Sequence, residues 1–169
     1  MSELTWNGDF WEAYIYISIF SESLTQVYIY RDDCSAPTQR QLSVFNKLSL
    51  LPESIVYDIE KNAVSYFEKV DSEMSDNSQR SEIDKNRIWA NLKIKRILIP
   101  ELYECNDDFF IISAECDWEP EHGMELLVKN CSVISCNENR GIAFNPQWED
   151  VVKASETDRQ KFLELLLAD

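Results

Sequence analysis

His122 is the single histidine of the chain and stands in a run of carboxylates: Glu115, Asp117, Glu119 and Glu121, with Cys116 beside them. Four kinds of chemistry could use such a group. A zinc site needs several His or Cys ligands, and one His with no ligand pair at useful spacing does not supply them. A calcium loop needs oxygen ligands alternating through about a dozen residues, and Pro120 interrupts a turn of only a few. Paired carboxylates could act as general acid and base if their surroundings split their pKa values. No nucleophile or oxyanion donor accompanies them. A Cys–His pair, Cys116 or Cys105 with His122, would need an electropositive setting to form a thiolate, and this neighbourhood is acidic. Neither a metal, a cofactor nor a catalytic residue is therefore expected. The plain alternative is a turn in which Gly123 takes a special backbone angle and His122 bonds locally.

The charge around this turn points to a surface. From residue 101 to residue 125 the chain has nine carboxylates and no lysine or arginine, within a formal net charge of −15. Residues 37–99 hold nine acids and ten bases, so the excess lies in the flanking segments. Clustered anions disfavour nucleic acid and anionic membrane as partners, since both demand clustered Lys and Arg. They favour a basic protein, whose approach an acidic field accelerates. On that reading Asp107, Asp108, Asp117, Glu119 and Glu121, aided by Glu101 and Glu104, supply the field. Trp118 and His122 sit within it, Trp118 as an anchor for the turn or for a partner.

Elements must hold that turn in place. Residues 12–20 and 25–30 alternate aromatic and β-branched residues and predict a hairpin. Alternation puts Ala13, Ile15, Ile17 and Ile19 on the core face and Tyr14, Tyr16, Ser18 and Phe20 on the other. After Pro37 the period becomes helical up to Pro52, and again over residues 53–70. Residues 71–85 are polar and read as a mobile loop or as frayed helix ends. Strands follow over residues 92–99, 109–116, 124–129 and 132–136, and a helix over residues 157–167. The sum is a single α+β domain of residues 1–169. Its antiparallel sheet has about six strands, with two helices after the N-terminal hairpin and a C-terminal helix.

Five cysteines without CxxC spacing read as reduced thiols. Apolar runs are shorter than a membrane span, and residues 1–6 lack the features of a secretory signal. A cytoplasmic location is expected.

The stretch Trp118-Glu119-Pro120-Glu121-His122-Gly123, entered from an apolar strand ending in Cys116-Asp117, resembles the W-[D/E]-x-E-H-G motif of an uncharacterised bacterial domain family. The resemblance covers residues 92–136 and, more loosely, the earlier hairpin and helices. It implies a small intracellular accessory protein, among whose relatives are candidate immunity proteins of polymorphic or contact-dependent toxin systems. Family members carry a glycine in the following hairpin turn, where this chain has Asn130-Cys131. The expected function is non-enzymatic neutralisation of a basic toxin, such as a nuclease, by binding it. The alternative is a small enzyme or ligand-binding domain built on the His122 turn.

Overall fold

A computed structural model describes residues 3–20, 23–31, 33–73, 85–101 and 107–139. They form a mixed α+β fold in which seven strands lie side by side in chain order. Strand β1 (Thr5–Trp6) pairs antiparallel with β2 (Trp11–Tyr16), and β2 with β3 (Leu24–Ile29). The chain then leaves the sheet for α1 (Gln39–Lys47) and α2 (Ser54–Glu73) before returning as β4 (Leu92–Ile99). So long a connection lets β4 lie parallel to β3. From there β5 (Phe109–Cys116), β6 (Met124–Lys129) and β7 (Ser132–Glu138) meander antiparallel to the edge.

Two expectations change. The sheet has seven strands, not about six, and one of its pairings is parallel. The added strand is β1, held by a turn in which Asn7 Oδ1 accepts from the Asp9 and Phe10 amides at 3.0 and 2.9 Å. Gly8 takes φ +111° within it. Helix α2 ends at Glu73, within the start of the polar segment. The expected C-terminal helix lies outside the described residues.

The helices start where their chemistry directs. Thr38 and Gln41 form a reciprocal capping box at the head of α1. On α2, Ile55, Ile59, Ala63, Tyr66, Phe67 and Val70 are buried at helical spacing. They meet one face of the sheet, built by Ala13, Ile15, Val27, Ile29, Ile97, Ile112 and Leu126. Tyr14 and Tyr16 point the other way and are about half exposed.

That second face is ordered by register. Tyr14 stands opposite Gln26, Gln26 opposite Arg96, Arg96 opposite Ser113, and Ser113 opposite Glu125. One polar row thus crosses five strands, beside an apolar row that includes Leu98, Ile111 and Leu127, all buried. Among the described residues no helix is long and apolar enough to cross a membrane.

Candidate functional site

The turn between β5 and β6 is fixed from beneath. Trp118 is 4% exposed and meets the Phe67 ring edge-on at 5.8 Å. It anchors the turn to α2 and has no surface left for a partner. Gly123 closes the turn with φ +72°, its amide donating to the Glu119 carbonyl at 2.8 Å. A Cβ there would lie 2.3 Å from the Ala114 carbonyl oxygen, so only glycine fits. At the entry side the Asp117 amide donates to the Asn91 carbonyl at 3.1 Å, tying the turn to the start of β4.

On this base His122 Nδ1 lies 3.0 Å from Glu138 Oε1 and 3.5 Å from Glu119 Oε1. Carboxylates only accept, so the contact requires a proton on Nδ1. The histidine clips its turn to the end of β7. Asp117, Glu121 and His122 are exposed, and Glu119 is half-buried.

The wall facing the turn is basic, a neighbour the acidic run gave no hint of. Strand β4 carries a bulge between Ile94 and Arg96. A regular strand would send Lys93 and Lys95 to one face and Arg96 to the other. The extra residue flips the alternation, so all three cations are exposed while Ile97 returns to the core. Lys95 Nζ pairs with Glu115 Oε1 at 2.7 Å, which holds the Glu115 carboxyl below the usual range. Arg96 lies over the Tyr28 ring at 5.8 Å. Turn and strand together line a half-open cavity of about 580 Å³, whose lining includes Lys93, Lys95 and Arg96 from β4 and Asp117, Glu121 and His122 from the turn. A second cavity of about 250 Å³, lined in part by Phe10, Tyr28 and Leu98, shares Arg96, Ser113 and Asn139 with the first.

The other expected site residues lie at the opposite end of β5. Asp107 Oδ2 pairs with Lys129 at 2.9 Å and its Oδ1 accepts from Asn130 at 2.8 Å. Its carbonyl oxygen accepts from Arg40. Asp108 pairs with Lys47 at 2.6 Å. Eight residues of strand put this group roughly 25 Å from the His122 turn. Glu101 is buried and paired with Arg31 at 2.8 Å, so it adds little to any surface field. Glu104 lies outside the described residues, as does Cys105.

The thiol beside the turn is quiescent. Burial first, then the Glu119 and Asp117 charges, push Cys116 up to about 12. A thiolate is therefore scarce there at neutral pH. Among the described residues no group of three or more His, Cys, Asp or Glu side chains is placed to hold a metal.

Residues 1–144 match the model of a family described as "Domain of unknown function (DUF6985)". No curated protein and no solved structure matches the chain.

Proposed function

The chain belongs to this family, whose description assigns no activity, and we propose that it is a non-enzymatic binding protein of the immunity type. It neutralises a toxin domain by capturing it on the exposed β2–β3 part of the sheet face opposite the helices, beside the His122 cleft. The observation that carries this reading is a juxtaposition on that face. Exposed Tyr14, Tyr16 and Leu24 lie on β2 and β3, next to the strand whose cations floor the His122 cleft. Tyr14 is two strand spacings from Arg96 along the polar row, about 10 Å. Aromatic anchors beside charged groups are what protein interfaces use for affinity and for orientation respectively. The net charge of −15 and the motif at residues 118–123 lend support, and a cytoplasmic site of action follows from the reading.

A second reading, a ligand-binding or small catalytic domain, is favoured by one fact. A cavity of about 580 Å³ is of the size that holds small molecules. Its lining weighs against it, because such sites are mostly apolar with a few polar groups. Here seven of the seventeen lining residues are Lys, Arg, Asp or Glu.

Growth rescue tests the first reading. The chain is co-expressed with the C-terminal domain encoded immediately upstream of its gene, and survivors are counted. Survival with a co-purifying complex is expected. Death of cells that contain the soluble chain, or survival without a complex, would shift the weight to the ligand site.

A further inference from the structure

The two walls of the His122 cleft carry opposite charges that the fold does not spend on each other. Among the described residues no ion pair joins β4 to the turn: Lys95 is held by Glu115, and Arg96 lies over Tyr28. Lys93 is exposed and makes no ion pair with any described residue, and the same holds for Asp117 and Glu121. All three line the cavity of about 580 Å³, Lys93 from β4 and the two carboxylates from the turn. The bulge matters here, since it brings Arg96 onto the face of Lys93 and Lys95 and makes β4 the most cationic strip beside the cleft.

A chain of charge −15 invites the simple view that its partner is basic throughout the interface. That view fails at this place, because a uniformly basic surface entering the cleft would bring a cation against Lys93. Like charges brought together in a partly desolvated contact cost free energy, and complementary potentials fix register. We propose that the cleft is a dipolar socket for the protein partner. It receives a segment with a cationic side chain directed at Asp117 and Glu121 and an anionic side chain directed at Lys93. This rests on the partner-binding reading and specifies its chemistry. The socket then sets orientation as well as attraction, for only one direction of the incoming segment matches both walls.

The sign of one substitution decides it. The complex obtained by growth rescue is titrated calorimetrically with wild type, Lys93→Glu, Lys93→Gln and the double variant Asp117→Lys/Glu121→Lys. Lys93→Gln guards against misfolding, since Lys93 stands opposite Glu115 and a glutamate there would set two anions face to face. The socket predicts that both Lys93 variants and the carboxylate reversal weaken the complex, each raising Kd by about tenfold or more. If Lys93→Glu and Lys93→Gln tighten the complex or leave it unchanged, the partner is uniformly basic at this site. The socket falls and the immunity reading stands. If wild type forms no complex at all, the immunity reading falls and takes the socket with it.

Discussion

The two ends of strand β5 have nearly the same composition and opposite electrostatics. At the Asp107–Asp108 end each carboxylate has a cation from another element: Lys129 from β6 and Lys47 from α1. Asn130 joins them by receiving the Asp108 amide on its Oδ1 at 3.0 Å, and its own amide reaches the Asp108 carbonyl at 2.8 Å. These acids are clamps. At the Asp117–Glu121 end Lys95 of β4 is taken by Glu115, neither Asp117 nor Glu121 has an ion pair among the described residues, and His122 reaches Glu119 and Glu138. An outward field survives there and is cancelled at the other end. Counting acids along the chain measures neither, since a field depends on the nearest countercharge in space.

The comparison breaks most directly at its root. Trp118 holds the exposed turn to α2, so Trp118→Ala should cost about 3–5 kcal/mol of stability, read from chemical denaturation. Trp118→Phe should cost clearly less, because the buried indole Nε1 has no hydrogen-bond partner to lose. A loss under about 1 kcal/mol for the alanine variant would mean that the turn keeps its shape without that anchor.

A charge reversal at each end sharpens the contrast. Asp117→Lys with Glu121→Lys should slow association with the partner about tenfold or more at low salt and flatten its salt dependence, with the fold intact. Asp108→Asn should leave the association rate unchanged. It removes one partly exposed pair with Lys47, so its stability cost should stay at or below about 1 kcal/mol. Stopped-flow rates at two salt concentrations separate the outcomes. Equal slowing from both ends would erase the distinction between clamp and field.

Much of this frame was legible in the sequence. The alternation over residues 12–17 placed Ala13, Ile15 and Ile17 inward and Tyr14 and Tyr16 outward, as found. Pro37-Thr38 and Pro52 bounded the first helical segment, and Phe109–Cys116 stood out as a buried strand. Strand β1 was missed because two residues have no periodicity, although Asn7-Gly8 is a hairpin signal. The parallel pairing of β3 with β4 depends on where a long connection ends, which no local pattern records. The cleft was half visible. Its acidic wall is contiguous in sequence, whereas its basic wall is assembled by a bulge that reverses the face of Arg96. Alternation alone assigns that arginine to the core side.

The smallest expected effect lies in the hairpin that closes the clamped end. Asn130 and Cys131 both sit in the left-handed region, at φ 49° and 63°, the pattern of a two-residue turn between antiparallel strands. Asparagine tolerates that region. Cysteine does so less well, since its Cβ crowds the following carbonyl at a cost of roughly 1 kcal/mol. Cys131→Gly should therefore relieve strain and raise the free energy of unfolding slightly, by about 0.5 kcal/mol once lost side-chain packing and greater unfolded-chain entropy are set against it. The Asp107 carboxylate holds this same turn by accepting from the Asn130 side-chain amide, so the gain should shrink when Asp107→Ala is combined with Cys131→Gly. A double-variant cycle measures that coupling. Strict additivity would mean that the Asp107 carboxylate does not brace the turn, and its description as a clamp would lose its structural content.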